Sequence, residues 1–449
     1  MRTLSCLLLA GLLLATTAVA AVAPAKPDPE KDALAAEVQA LRRDLAALAA
    51  ELAAIRAAGS AALEARLAAA EANLGRLGSV LANVESRLGA VAEAQAGDAE
   101  TLEALQQSEG RAIHLTTYGA FVAEDTTRAD STFDAESFEL VLSSQPHPRL
   151  SLFAEVEFER AAAVGGERGG EVLLEQAWAS YRLASWASLR AGALLVPFGN
   201  VNVDHYAPSR DVISKPLVSY AVAPSDWTDN GLGLSGSVLL GGEWSMRYDT
   251  VVVAGLDADV TALGTRAARQ PFGADNNNDK ALAGRVAWKR GAGFELGLSG
   301  YRGRYDDAGR LPLSGWAVDA QVASGPLRLT GEYDRFAARQ PGGRTADLAG
   351  WYVRASVDVG NQLVRRGAHG KLFPEARLSL VGQYDRIDLT GPLAERWETN
   401  RESRWTLGLN YRPAHAWVLK VDREWRRAPA RALVYGEEDA LLVSIGFIF

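Results

Sequence analysis

From Leu115 to the C-terminal Phe449, apolar and polar residues alternate with a period of two in one short segment after another. In one of the clearest segments, Trp405, Leu407 and Leu409 alternate with polar residues. Successive side chains of a β-strand point to opposite faces, so each segment predicts a strand with one apolar and one polar face. Aromatic residues mark both ends of the apolar face in strand after strand, which a soluble sandwich rarely shows. The pattern predicts an all-β transmembrane barrel with lipid outside and water inside.

The alternation divides into about 16 antiparallel strands, an even number, as barrels made from one bacterial chain require. Short turns alternate with long loops, among them 197–229 and 387–402, which predicts short turns at one rim and long loops at the other. The link 359–375 is long for the short-turn rim, so it is either a real excursion or a misplaced strand. The predicted strands are 115–123, 133–143, 149–159, 171–183, 187–196, 230–240, 243–254, 282–289, 293–302, 314–322, 326–335, 349–358, 376–386, 403–412, 416–425 and 440–449.

A different period governs the chain before the barrel. Residues 31–107 contain neither proline nor aromatic residues, and Leu34, Val38, Leu41 and Leu45 follow heptad spacing. A second heptad series follows the Gly59-Ser60 interruption. The spacing predicts an α-helical coiled coil within 21–110 that joins several copies of the chain, with a discontinuity near Gly59. The alternative is a single amphipathic helix lying on the barrel or on a membrane, but an a/d stripe is narrow for that role.

The N-terminus is typical of an exported protein. Met1-Arg2 precedes an apolar run from Leu4 to Leu14 and the small residues Ala18-Val19-Ala20. This order predicts a signal peptide at 1–20 rather than a membrane anchor, because the apolar run is too short to span a bilayer. The remaining regions are a periplasmic coiled coil at 21–110 and the barrel at 111–449. The net charge is −8 and no basic tract occurs, so no nucleic-acid partner is expected.

The final segment, LLVSIGFIF at 441–449, resembles the signal by which the barrel assembly machinery recognises outer-membrane proteins, with Phe449 as its last residue. The segments AGALLVPFG at 191–199 and WTDNGLG at 227–233 resemble the phosphate-selective O/P-type porins of Gram-negative bacteria. The resemblance implies an outer-membrane porin that admits small polar or charged solutes. It also implies a homotrimer with its stalk in the periplasm. Phosphate preference does not follow, because the barrel region has only five lysines against the many of that family.

Strand parity assigns a set of charged side chains to the inner wall. Opposed acidic and basic walls would create a transverse field that admits small charged solutes, although these residues could also simply pair with one another. The arginines favour anions, while the acidic total charge of the barrel limits that preference. The predicted pore-lining residues are Arg182, Arg190, Arg247, Arg285, Arg328, Arg354, Arg377, Arg404, Glu155 and Glu157.

The longest loop, 197–229, follows the fifth strand. In general porins a loop at this position folds into the lumen, and the resemblance implies the same here. Asp204, Arg210, Asp211 and Lys215 are then expected at the constriction. The alternative is a loop that stays at the surface.

Two other function classes compete with a channel. An enzyme would need a histidine near acids or a nucleophile, but the five histidines form no recognisable set. Asp275–Asp279 lacks the glycine and the final glutamate of a calcium loop, so no enzyme, cofactor or metal site is predicted. The second alternative is a stalked structural protein that tethers the outer membrane to the peptidoglycan, from which conductance would distinguish a channel.

Overall fold

A computed structural model describes residues 43–44, 47, 50, 113–160, 171–270, 272–360, 364–394, 396–429 and 433–449. The chain divides into two compact units, Met1–Leu102 and Glu103–Phe449. The four described residues of the first unit are helical. The predicted signal peptide and the rest of the predicted coiled coil lie outside the described residues. Within the part of the chain that is described, no helix is both long and apolar enough to cross a membrane.

The second unit contains a closed antiparallel barrel of sixteen strands, which confirms the prediction from the alternation. Every strand pairs with its neighbours in sequence, and the last strand closes the barrel on the first. The strands are β1 (Ile113–Thr126), β2 (Thr132–His147), β3 (Leu150–Glu159), β4 (Glu171–Ala184), β5 (Ala187–Leu195), β6 (Thr228–Gly241), β7 (Trp244–Val253), β8 (Ala281–Arg290), β9 (Phe294–Arg304), β10 (Pro312–Ser324), β11 (Leu327–Arg339), β12 (Thr345–Asp358), β13 (Arg377–Leu393), β14 (Arg396–Arg412), β15 (Trp417–Arg427) and β16 (Asp439–Ile448).

The closing contact joins the two ends of the barrel. Tyr118 of β1 lies opposite Ile448 of β16. Beyond that pair, the backbone N–H of Thr117 donates to the carbonyl of Phe449 at 2.7 Å, and the N–H of Phe449 donates back to Thr117 at 2.8 Å. The last residue therefore completes the hydrogen-bond ladder, so no strand edge is left open at the seam.

The outer face of the barrel is apolar. Leu407 of β14 is 56% exposed, whereas its neighbour Thr406, which points inward, is fully buried. Trp405 lies on the same outer face at 57% exposure, and Trp417 of the next strand is equally open at 56%. Large apolar side chains exposed in this regular pattern around a closed sheet form the surface that contacts acyl chains.

A charge on this outer face should destabilise the barrel. Replacing Leu407 with arginine is expected to cost about 2–4 kcal/mol of unfolding free energy in lipid vesicles, because the charge lies within hydrocarbon. Urea unfolding followed by tryptophan fluorescence measures the loss. Ala308→Arg, in the segment between β9 and β10, is the control and should leave the midpoint unchanged. Equal stability of the Leu407 variant and the wild type would contradict the assignment of this face to lipid.

The connections differ at the two rims, as predicted. The link between β12 and β13 holds a short helix (Gly367–Leu372), so it is a real excursion, and its described residues contain no further strand. The predicted loop at 387–402 is wrong, because β13 and β14 each run for 17 residues and pair as far as Leu393 with Arg396. These two strands extend beyond the roughly 9–11 residues that a bilayer requires.

A reversal of polarity explains the error at 387–402. Ile387 and Leu389 point inward and are fully buried in an apolar core. Their neighbour Asp388 points outward, where Arg386 and Arg401 form ion pairs with it. The strands there have a polar outer face and an apolar inner face, the opposite of the arrangement in the membrane. The alternation of apolar and polar residues continues through 387–402, but it does not match the expected pattern of an apolar outside and a polar inside.

Candidate functional site

The segment 196–227, which joins β5 to β6, lies against the inner wall of the barrel. It contains two short helices, α1 (Asn200–Val203) and α2 (Leu217–Ala221). Buried wall carboxylates accept hydrogen bonds from its backbone amides at three points along its length. These contacts join Asn200 N to Glu332 Oε2 (2.6 Å), Ile213 N to Asp422 Oδ2 (2.6 Å) and Leu217 N to Asp385 Oδ1 (2.8 Å).

An apolar core holds the same segment from its two ends. Phe198 lies 4.8 Å from the ring of Phe336 on β11, and Trp227 lies 5.2 Å from Tyr301 on β9. Leu217 is fully buried in the same cluster. On this side, side chains of the long connections pack closely against the wall. The barrel interior is therefore not filled with water around its whole circumference.

Arg404 of β14 forms a buried charge cluster beneath the segment. Its guanidinium lies 3.1 Å from Asp385 Oδ1 and 3.1 Å from Glu424 Oε1, and all three side chains have no solvent exposure. It also donates to the backbone carbonyl of Lys215 at 2.8 Å. Lys420 donates to the carbonyl of Ala207 at 2.9 Å. The wall thus supplies both carboxylates to the amides and cations to the carbonyls of the segment.

A cavity of about 1140 Å³ separates the inward segment from the wall formed by β1 to β4. Acidic side chains of β2 to β4 line one part of it, including Glu139, Glu157 and Glu175. Arg266 and Arg269, from the connection between β7 and β8, line the same cavity. The lining includes apolar residues, but more of its surface is polar and it carries both charges, which suits hydrated solutes rather than apolar ones.

The structure places the predicted pore-lining arginines on the inner face, but several are engaged by acids. Arg190 pairs with Asp249. Arg285 lies 2.5 Å from Asp319 and 3.2 Å from Glu295. These pairs leave less free positive charge in the lumen than the sequence alone indicates.

The remaining predicted pore-lining arginines differ in the groups that they contact. Arg328 lies 3.4 Å from Asp211, and Arg354 donates to Gln383 at 2.8 Å. The exposed Arg377 shares the inner face of β13 with Gln383 and Asp385, because it lies an even number of residues from them. Arg182 lies two residues from Ser180, the strand partner of the inward Arg190, so it also points inward. Arg247 lies two residues from the inward Asp249 on β7 and shares its face.

The four residues predicted at the constriction all lie on the inward segment. Arg210 donates to Glu136 of β2 at 2.7 Å, and Asp211 contacts Arg328 of β11, so the segment reaches two sides of the barrel. Asp204 accepts a hydrogen bond from Ser209 at 3.0 Å. Lys215 forms an ion pair with Asp226. Burial alone would raise the pKa of Asp226, but Lys215 outweighs it and lowers the pKa below its usual value.

His205 and Glu175 were not predicted as a site. The Nε2 atom of His205 lies 3.3 Å from Glu175 Oε2 and 3.9 Å from Glu155 Oε2, and the three side chains are buried. Burial opposes the charged imidazole, yet the contact with Glu175 and the charges of Asp226 and Glu155 raise the pKa of His205 to about 9. The spacing of these residues in the sequence does not predict this cluster, because its members come from β3, β4 and the inward segment.

The sequence is similar to that of known proteins. The sequence profile of the Gram-negative porins matches residues 57–369. An uncharacterised protein of Aquifex aeolicus (strain VF5) is 23% identical over 300 residues, which cover 61% of this chain and 66% of the relative, just under two thirds of its length.

Two solved structures share the barrel. OmpF of Salmonella typhi in complex with daunomycin has a TM-score of 0.52 at 13% identity, and the match covers 76% of this chain and 99% of that one. An anion-selective porin from Comamonas acidovorans has a TM-score of 0.50 at 14% identity, with coverage of 75% and 99%. At these identities the likeness establishes a common fold.

Proposed function

Because the chain belongs to the Gram-negative porin family, we propose that it is an outer-membrane channel through which small polar or charged solutes diffuse passively. The observation that carries this proposal is the closed sixteen-strand barrel with an apolar outer face and a charged cavity of about 1140 Å³ inside. A barrel of this strand number is wide enough to enclose an aqueous channel, and wall charges then select among solutes.

We further propose that the cavity favours cations. Its lining contains eight acidic residues, Glu124, Asp134, Glu136, Glu139, Glu157, Glu159, Glu175 and Asp226, against six arginines and lysines, Arg160, Arg210, Lys215, Arg266, Arg269 and Arg426. Four of those six form ion pairs with acids of the same lining, and His205, which also lines the cavity, pairs with Glu175. The acids Glu139, Glu157 and Glu159 then remain against Arg266 and Arg269.

The opposite preference, for anions, is the alternative that the arginine count favours. It would rest on Arg377 and Arg412, which lie on the inner faces of β13 and β14. Arg190, Arg285, Arg328 and Arg404, which also contributed to that count, have carboxylate partners. One of the two solved structures is named an anion-selective porin, but at 14% identity its selectivity carries no weight for this chain.

Conductance in a planar bilayer tests both proposals. We expect steady ion currents, and in a KCl gradient a reversal potential with the sign of K⁺ preference. Neutralising two acids of the lining, in Glu157→Gln/Glu159→Gln, should shift that potential towards Cl⁻, because the wall then attracts fewer cations. Asp388→Asn, on the outward face, is the control and should leave the potential unchanged.

The possible results separate the two proposals. A folded, inserted protein that stays electrically silent would contradict the channel and leave the tether as the remaining role. A Cl⁻ preference in the wild type that the double variant does not alter would contradict the cation preference alone.

A third proposal concerns how the chains assemble and reach the outer membrane. We propose a homotrimer whose predicted coiled coil at 21–110 acts as a periplasmic stalk, after removal of the signal peptide at 1–20. Delivery to the outer membrane would involve the barrel assembly machinery, with Phe449 as part of the recognition signal. Support for that signal comes from the alternation in β16 and from the terminal pair of Phe449 with Thr117. Peptidoglycan is the partner that a tethering role for the stalk would add.

A further inference from the structure

We propose that Glu155, Glu175 and His205 bind one divalent first-row transition-metal cation, such as Zn²⁺, inside the barrel. Glu155 belongs to β3, Glu175 to β4, and His205 to the inward segment. A bound cation would therefore join the segment to the wall of the barrel. This site is independent of the proposed transport function, because metal binding and ion conduction can each be present without the other.

The distances suit such a cation. One ligand atom from each side chain can be chosen so that all three lie within 4.8 Å of one another. His205 Nε2 and Glu175 Oε2 are 3.3 Å apart. Tetrahedral Zn²⁺ with bonds of about 2.0–2.1 Å places neighbouring ligand atoms about 3.3 Å from each other. Glu155 Oε2, at 3.9 Å from His205 Nε2, needs a shift of about 0.6 Å to reach that separation.

Two of the ligand atoms have no hydrogen bond although they are buried. These atoms are His205 Nε2 and Glu175 Oε2, and their side chains are 4% and 6% exposed. Buried polar atoms are nearly always paired, since loss of hydration without a replacement is unfavourable. The two atoms lie 3.3 Å apart, so that one cation could bind both of them.

The neighbouring groups hold the ligands in place. His205 Nδ1 lies 3.2 Å from the carbonyl oxygen of Asn202. A proton on Nδ1 that is donated to this carbonyl leaves Nε2 with a free lone pair for a metal. Glu155 accepts hydrogen bonds from the hydroxyl of Tyr118 and the amide of Gln176, each at 2.7 Å. The ring of His205 also stacks on Tyr206, with 4.8 Å between centroids.

The charge around the cluster also favours a cation. Glu139 and Glu157 line the same cavity as Glu175, so four carboxylates with Glu155 are grouped on neighbouring strands. Grouped buried carboxylates repel one another unless protons or cations are shared among them. The imidazole ligand favours a transition metal over Ca²⁺ or Mg²⁺, which prefer sites made of oxygen atoms alone. A protonated His205 paired with Glu175 is the competing arrangement.

Metal titration of the purified, folded protein tests the site. After treatment with a chelator, the wild type should take up one Zn²⁺ per chain in isothermal titration. Co²⁺ should give visible absorption bands of a site with nitrogen and oxygen ligands. Loss of a direct ligand should exceed the loss typical of an indirect partner, so His205→Asn and Glu175→Gln should each weaken Zn²⁺ binding by at least about 100-fold. His415→Asn, in an exposed turn, is the matched control and should bind as the wild type does.

Each outcome decides the proposal. It would be overturned if stripped wild-type protein took up no Zn²⁺, or if both variants bound as tightly as the His415→Asn control. Heat-dependent migration on gels verifies that each variant is folded. If His205→Asn fails to fold, the nearly isosteric Glu175→Gln and the Co²⁺ spectrum of the wild type still decide. A silent channel that binds Zn²⁺ would contradict only the transport proposal.

Discussion

Replacing Arg404 with methionine is expected to destabilise the folded barrel by about 3–5 kcal/mol, the largest loss that we expect from a single substitution. The guanidinium is the shared partner of Asp385 and Glu424, and none of the three side chains is exposed. Without it, Asp385 stays buried with no cationic partner among the described residues, while Glu424 keeps only Arg426, at 2.8 Å. Methionine fills much of the same volume, so the loss reports the missing charge rather than a cavity. Urea unfolding in lipid vesicles measures the change in unfolding free energy.

Arg386→Met is the matched control for Arg404→Met. Arg386 forms an ion pair with Asp388, but their side chains are 39% and 37% exposed on the outside of the barrel. Exposed ion pairs contribute at most about 1 kcal/mol, since water screens them and the flexible side chains lose entropy. Equal losses in the two variants would show that the Arg404 cluster is not essential to the inner packing.

The second large effect concerns conductance. Residues 204–215 carry the four predicted constriction residues, and a glycine-serine linker in their place would leave Phe198, Leu217 and Trp227 in the apolar core. We expect single-channel conductance to rise by about twofold, because the segment then occupies less of the ion path. Planar-bilayer recordings measure this change directly.

A linker in place of residues 306–310, between β9 and β10, is the control for the loop replacement. That segment connects two strands at the long-loop rim, and its replacement should leave conductance unchanged. Unchanged conductance in the 204–215 variant, with the protein folded and inserted, would mean that this part of the chain does not narrow the pore.

The barrel itself could be predicted because a strand in a membrane obeys two strict rules. Side chains alternate in direction, and every outward residue within hydrocarbon must be apolar. Trp405, Leu407 and Leu409 satisfy both rules. Where the outer surface leaves the membrane the second rule no longer applies, so the sequence pattern predicts a loop at Ile387, Asp388 and Leu389 where the structure has a strand.

The interior could be predicted only in part, because partners across the lumen are separated by long stretches of sequence. Parity placed Arg285 and Arg404 on the inner face, but it could not show that Asp319 and Asp385 engage them. Similarly, Glu155, Glu175 and His205 lie on three different elements, and their positions in the sequence follow no metal-ligand spacing. Only the closed barrel brings such residues together.

The pairing of β1 with β16 has a consequence for biogenesis. A sheet that closes on itself through its first and last strands has no complete smaller version, so a polypeptide that lacks the final strand retains two unpaired edges. Ring closure thus depends on contacts with the greatest possible sequence separation, which form slowly. The newly made polypeptide must remain unaggregated until its last ten residues are available, and shielding by a chaperone would protect it during that interval.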